Sequence, residues 1–128
     1  MLVGVPAEIK AQESRVGLTP ASVKMLVDHG HKVLVENNAG YGAGFDNEAY
    51  KNSGAQIADE ASSVFNDAEM IVKVKEPLSN EVSMLRKDQV LFTYLHLAAA
   101  SKLTSSLLKS EAICIAYETV TDNNERLP

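Results

Sequence analysis

Short apolar runs alternate along this chain with segments of helical periodicity. Five runs are rich in β-branched side chains and have the length of strands, at residues 2–5, 32–36, 70–74, 90–94 and 112–116. Because these runs are almost continuously apolar, we expect the strands to be covered on both faces. Repeated strand–helix units of this kind predict a mostly parallel sheet flanked by helices.

The segment between the first two strands carries the clearest helix signals. Thr19 followed by Pro20 is typical of an N-cap and a first helical residue, and Gly30 supplies a stop. Four further helices are predicted, at residues 46–52, 60–66, 79–86 and 101–110. The alternation predicts an α/β fold in a flavodoxin-like, three-layer α/β/α arrangement.

Composition narrows the class of protein. With 128 residues, 45% hydrophobic and 23% charged, the chain has the size of one domain with a substantial core. A net charge of −5, without a lysine or arginine stripe, argues against a nucleic-acid partner. The single cysteine excludes an intramolecular disulfide, and early polar residues interrupt any signal peptide or membrane span. We therefore expect a cytoplasmic protein with no membrane partner.

Two other patterns look like ligand sites, a dinucleotide loop and a zinc site, but each lacks residues that such a site requires. The glycine-rich residues 40–44 lack the third glycine of a dinucleotide loop and do not directly join a strand to a helix, so a turn is expected. His29, His31 and His96 form no recognised zinc spacing with Cys114, so no metal site is predicted. Cys114, between two isoleucines, is interpreted as core filler.

Three ionisable side chains follow separate predicted strands. Arg15 lies in the polar segment after the first strand, Lys75 follows the third, and His96 follows the fourth. Ligands of open α/β sheets bind beyond the carboxyl ends of the strands, so these groups can converge although they are distant in sequence. A guanidinium suits a carboxylate, and an imidazole can exchange a proton near neutral pH.

Each of these side chains also has a purely structural interpretation. Arg15 could be an ordinary solvated surface residue. Lys75 could pair with the neighbouring Glu76. His96 lies between two leucines and could be a satisfied structural histidine. All three residues at one sheet edge are better evidence for a functional site than any one of them alone.

Five separated blocks resemble the alanine dehydrogenase/nicotinamide nucleotide transhydrogenase family, and within it bacterial alanine dehydrogenases. They are GVPAEIK at 4–10, ESRVGLTP at 13–20, VKEP at 74–77, FTYLHLAA at 92–99 and AYETV at 116–120. They follow the family's order through essentially the whole chain. One departure is Ala100-Ser101, where an acidic residue and a proline commonly open the helix.

The resemblance implies an NAD-dependent enzyme that reversibly converts L-alanine to pyruvate and ammonium. It implies that His96 is the catalytic acid or base, and that Arg15 and Lys75 bind the substrate. It further implies that residues 1–128 form an N-terminal substrate domain, truncated before a Rossmann domain that would bind NAD, so no cofactor-binding residue is expected here. Such a domain would be incomplete without a C-terminal return segment and inactive alone. The intact enzyme would be a homo-oligomer, commonly a hexamer.

Two alternatives stay open. The N-terminal domain of a transhydrogenase alpha subunit is similar in the Arg15 block and the glycine turn, but the family patterns depart at the blocks containing Lys75 and His96. A non-enzymatic binding module is also possible, since a fold does not fix a function. NAD against NADP, and the substrate range beyond alanine, are left undetermined by these residues.

Overall fold

One sheet of six parallel strands forms the centre of the computed structural model, which describes residues 1–123, 125 and 126. The strands are β1 (Leu2–Val5), β2 (Lys32–Glu36), β3 (Gln56–Ala58), β4 (Met70–Val72), β5 (Val90–Thr93) and β6 (Ile113–Ala116). They lie in the order β3-β2-β1-β4-β5-β6, and every neighbouring pair is parallel. The order of the chain across the sheet therefore reverses between β1 and β4.

The five predicted strands are all present, three of them shortened by one or two residues. By themselves they follow the 2-1-3-4-5 order of flavodoxin-like sheets, which confirms the α/β parallel-sheet fold. The sequence pattern does not predict β3, which extends the sheet at the edge beside β2. This strand has only three residues and begins with a polar glutamine, so it carries almost no apolar signal.

Five α-helices connect the strands: α1 (Pro20–Asp28), α2 (Asn47–Asn52), α3 (Ala61–Asp67), α4 (Ser79–Val82) and α5 (Ser101–Ser110). Thr19 caps α1 as predicted, because its side chain accepts a hydrogen bond from the Ser22 amide, and Gly30 ends the turn with a φ of +82°. Helix α4 is shorter than predicted, since the chain beyond it continues in three-residue turns. In the described part of the chain, no helix is long and apolar enough to cross a membrane.

Two apolar clusters lie on opposite faces of the sheet. Val23 of α1 and Tyr50 of α2 pack on one face, and α3, α4 and α5 pack on the other. Strand β2 shows the division, because Val33 and Val35 join the first cluster and Leu34 joins the second. The structure is thus the three-layer α/β/α arrangement that the sequence predicts.

The first of these faces is uncovered over the outer part of the sheet. Ile113 and Ile115 of β6 are 49% and 38% exposed, and they lie beside the half-buried Val90 and Phe92 of β5. The expectation that every strand is covered on both faces is therefore wrong for β6. No helix of the described chain packs there, since α1 and α2 pack over the other half of the sheet.

Candidate active site

The carboxyl ends of the parallel strands meet at one edge of the sheet. The segments that follow β1, β4, β5 and β6 lie at this edge, and the reversal in strand order falls between β1 and β4. This is the position at which open α/β sheets bind ligands. Arg15, Lys75 and His96 all lie in these segments.

Arg15 is a largely exposed side chain held by a neighbouring carboxylate. Its Nε and Nη2 donate to the two oxygens of Glu13, at 2.8 and 2.7 Å, and its backbone amide donates to the same carboxylate at 2.9 Å. The side chain of Arg15 is 62% exposed and that of Glu13 only 7%. These hydrogen bonds lower the pKa of Glu13 to about 2, with a smaller contribution from the charge of Lys75.

Two glycines let the Arg15 segment lie close against the rest of the domain. A Cβ on Gly17 would lie 2.5 Å from the carbonyl oxygen of Val72, at the end of β4. A Cβ on Gly42 would lie 3.1 Å from Ser14. Residues 40–44 therefore form the predicted turn, and that turn packs against the residue next to Arg15.

The described residues fix the backbone of Lys75 and leave its ammonium without a partner. Its amide donates to Glu8 at 3.3 Å, its carbonyl accepts from Thr93 at 2.9 Å, and the Val74 amide donates to Glu8 at 2.7 Å. Across residues 1–123, 125 and 126, no group forms a hydrogen bond or ion pair with the Lys75 ammonium. Glu76 pairs with Lys10 instead, so the structural interpretation of Lys75 as a partner of Glu76 does not hold.

A buried ionic cluster lies next to the backbone of Lys75, whose amide donates to one of its members, Glu8. The Nζ of Lys73 is 2.6 Å from Glu81 and 3.4 Å from Glu8, and the three side chains are at most 3% exposed. Glu81 also accepts from the Leu78 amide at 2.8 Å. The sequence pattern does not predict this cluster, because the only sign of it in the sequence is charged residues next to apolar strands.

His96 occupies a backbone conformation that is rare for residues other than glycine. Its φ and ψ are 49° and 40°, and its amide donates to Glu118 at 2.7 Å. The Leu95 amide donates to the same carboxylate at 3.1 Å. The exposed imidazole stacks on Tyr94, with ring centroids 5.8 Å apart and planes 7° apart.

Aromatic rings support the His96 segment from the β6 side. Tyr117 makes edge contacts with Phe92 and Tyr94, at centroid distances of 4.3 and 4.9 Å. Burial, with smaller contributions from Glu8 and Tyr94, raises the pKa of Tyr117 to about 12, so the phenol stays neutral. A cavity of about 510 Å³ opens beside His96 and Glu118.

The three predicted side chains are connected through shared neighbours. Glu13 is bonded to Arg15 and is close enough to Lys75 for the lysine charge to lower its pKa. Tyr94 stacks on His96, and its phenol lies within electrostatic range of the Arg15 guanidinium. The edge therefore presents a guanidinium, an ammonium and an imidazole, which together suit a small carboxylate whose reacting centre exchanges a proton.

The described residues at this edge show neither the pattern of a metal site nor that of a dinucleotide-binding loop. The described residues contain no group of three or more histidines, cysteines and acidic residues that could bind a metal ion. The turn after β1 has Pro6, Ala7 and Glu8 where a dinucleotide loop has glycines.

The chain is similar to known proteins over its whole length. The model of the family "Alanine dehydrogenase/PNT, N-terminal domain" matches residues 4–128. The alanine dehydrogenase of Bacillus subtilis is 53% identical over 122 residues, which are 95% of this chain and 32% of that protein. The alanine dehydrogenase of Methanococcus maripaludis is 50% identical over 128 residues, which are 100% of this chain and 34% of that protein.

Solved structures agree with the sequence relatives. A structure titled L-alanine dehydrogenase matches with a TM-score of 0.96 and 53% identity, over 100% of this chain and 35% of that one. The transhydrogenase from Sinorhizobium meliloti matches with a TM-score of 0.87 and 26% identity, over 93% of this chain and 35% of that one. The chain spans about a third of the length of these proteins. It belongs to the alanine dehydrogenase/PNT N-terminal domain family.

Proposed function

We propose that residues 1–128 are the substrate-binding domain of an NAD-dependent L-alanine dehydrogenase, and that a dinucleotide-binding domain lies elsewhere in the full-length protein. The observation that carries this proposal is the ammonium of Lys75, which has no partner among the described residues and lies at the same sheet edge as Arg15 and His96. Relatives at about 50% identity that bear the name alanine dehydrogenase support it. The reaction converts L-alanine, NAD⁺ and water to pyruvate, ammonium, NADH and a proton.

Arg15 binds the substrate carboxylate in this proposal. Glu13 accepts from Nε and Nη2, which leaves Nη1 without a partner among the described residues. A second carboxylate can therefore bind the free edge of the guanidinium while Glu13 keeps the fork oriented. Because the Glu13 pKa is about 2, its carboxylate stays charged at every pH at which the enzyme would work.

Lys75 and His96 act at the carbon that changes oxidation state. The Lys75 ammonium stabilises negative charge on the substrate oxygen as that charge develops. In the oxidative direction the His96 imidazole takes the proton from the hydroxyl of the carbinolamine, and in the reductive direction it returns a proton to oxygen. NAD, bound outside these residues, supplies the hydride acceptor.

The remaining parts of the proposal concern the intact protein. We propose a cytoplasmic homo-oligomer with L-alanine and pyruvate as its small-molecule partners and without nucleic-acid or membrane partners. The acidic composition, with a net charge of −5, supports the lack of nucleic-acid binding. Ile113 and Ile115 are exposed, which supports the proposal that another part of the protein or another copy covers them.

The likeness to the Sinorhizobium meliloti transhydrogenase favours a second candidate, a domain that binds a dinucleotide without using this pocket. The two candidates differ in whether L-alanine is oxidised at all. Lys75 and His96, which the first proposal requires and the second does not, are both present with accessible side chains.

Steady-state kinetics of the full-length protein test the proposal. Removal of the charged hydrogen bonds in Arg15→Ala should raise the KM for pyruvate about 10- to 100-fold, because such bonds contribute roughly 1.5–3 kcal/mol. Lys102→Ala, on the exposed surface of α5, is the control and should leave KM unchanged. Absence of alanine oxidation in the parent protein would favour the transhydrogenase candidate, and an unchanged KM in Arg15→Ala would refute the assigned role.

A further inference from the structure

The backbone of His96 lies in a strained conformation that its own sequence does not explain. A φ of 49° is the left-handed region, in which a Cβ crowds the following carbonyl. Residues other than glycine remain in such conformations only when surrounding groups hold them there. The neighbour Leu95 is 3% exposed and anchors one side of the turn in the core, while the imidazole on the other side is exposed.

One carboxylate holds this turn. Oε1 of Glu118 accepts from the amides of His96, at 2.7 Å, and Leu95, at 3.1 Å. The Leu95 amide also lies 3.4 Å from the second oxygen, Oε2, so both oxygens of Glu118 face this turn. Burial would raise the pKa of the Glu118 carboxyl, but these amides and its own amide together keep that pKa below its usual value. The group is therefore ionised near neutral pH, where its hydrogen bonds are strongest.

The position of Glu118 is itself fixed by neighbouring structure. It follows β6, one residue after Tyr117, whose ring packs against Phe92 and Tyr94. Tyr94 in turn stacks on the His96 imidazole. The carboxylate and the aromatic rings thus hold the His96 segment at its backbone and at its ring.

We propose that Glu118 is a positioning residue that sets the orientation of the His96 imidazole towards the substrate. This inference rests on the proposed function of His96 as the group that transfers a proton. Without the carboxylate, two amides lose their acceptor and the left-handed turn loses its support. The imidazole then leaves its place on Tyr94, so proton transfer slows while the carboxylate site at Arg15 is untouched.

Kinetics of the full-length protein separate this role from a structural one. Glu118→Ala should lower kcat for the reductive amination of pyruvate about 10- to 100-fold. It should change the KM for pyruvate less than about threefold. Glu118→Gln keeps one acceptor oxygen for the two amides and should recover part of the lost rate. Glu111→Gln is the matched control, because Glu111 lies at the opposite end of β6 and its side chain pairs with the exposed Lys87. It should keep the parental kcat.

A measurement on the backbone covers the case in which Glu118→Ala folds poorly. Hydrogen exchange of the peptide that contains residues 94–97 should be faster in Glu118→Gln than in the parent, and unchanged in Glu111→Gln. An unchanged kcat in both Glu118 variants, or an equal loss in kcat and gain in KM, would overturn the positioning role.

His96→Ala distinguishes a failure of the positioning role of Glu118 from a failure of the proton-transfer role of His96. If His96→Ala is inactive and the Glu118 variants keep the parental kcat, the positioning role fails and the proposed function stands. If His96→Ala keeps the parental kcat, the proposed role of His96 fails, and the positioning role falls with it.

Discussion

Substitution of Lys73 by methionine tests whether the buried ionic cluster stabilises the domain. The Nζ of Lys73 lies 2.6 Å from Glu81 and 3.4 Å from Glu8, and the side chains are 1%, 3% and 2% exposed. Methionine fills much of the same volume but leaves two buried carboxylates without a cation. Breaking a buried ion pair by removing one partner costs about 3–5 kcal/mol. That is a large part of the roughly 5–15 kcal/mol that stabilises a domain.

Urea unfolding of residues 1–128, followed by circular dichroism at pH 7, measures this cost. With an m-value of about 2 kcal/mol/M, the midpoint should fall by roughly 2 M. Lys24→Met is the matched control, because it removes an exposed ion pair with Asp28 and should cost less than about 0.5 kcal/mol. Replacing Lys73 together with Glu8 and Glu81 by neutral residues should restore at least half of the loss. A Lys73→Met midpoint equal to that of Lys24→Met would show that the buried cluster does not stabilise the domain.

Three further predictions address the site and its surroundings. Gly17→Ala should destabilise the domain by about 1–3 kcal/mol, because its Cβ would lie 2.5 Å from the Val72 oxygen; an unchanged melting temperature would contradict this. The hydrogen bonds from Arg15 lower the Glu13 pKa to about 2, so their stabilisation is complete above about pH 4.5 and declines towards pH 2. The stability difference between the parent and Glu13→Gln should shrink over that range, and a difference independent of pH would argue against it. Ile115→Ser should reduce self-association of residues 1–128 in analytical ultracentrifugation, and equal association would show that this face is not responsible.

The fold could be predicted from sequence wherever the signals were local. The cap at Thr19, the stop at Gly30 and the apolar strand runs each depend on a few adjacent residues. Strand β3 could not be predicted, because an edge strand of three residues buries too little apolar surface to need a pattern. The apolar sequence of β6 alone predicts a covered strand, and only the incompleteness that the family resemblance implies predicts an exposed apolar face.

The candidate site could be predicted only in part. Arg15, Lys75 and His96 follow strands, so topology alone assigned them to one edge. Lys73 and Lys75 look alike in the sequence, two residues apart beside valines. Strand β4 ends at Val72, however, and Lys73 lies buried between acidic side chains, whereas no described residue pairs with the Lys75 ammonium.

Long-range contacts hold the backbone of the site, and no spacing rule reveals them. Glu8 reaches across 66 residues to the amide of Val74, and Glu118 reaches back 22 residues to that of His96. In the sequence both are ordinary glutamates near strand ends. Their function as acceptors depends on which strands become neighbours.

The proposed proton transfer by His96 is best tested by the rate of pyruvate-dependent NADH oxidation in the presence of ammonium. This rate is compared between the full-length protein and its His96→Ala variant. General acid–base catalysis contributes about 10²- to 10⁴-fold to a rate. We predict a loss in that range, with the KM for pyruvate changed far less because Arg15 remains. A His96→Ala variant that oxidises NADH at the parental rate would show that His96 is not the proton-transfer residue.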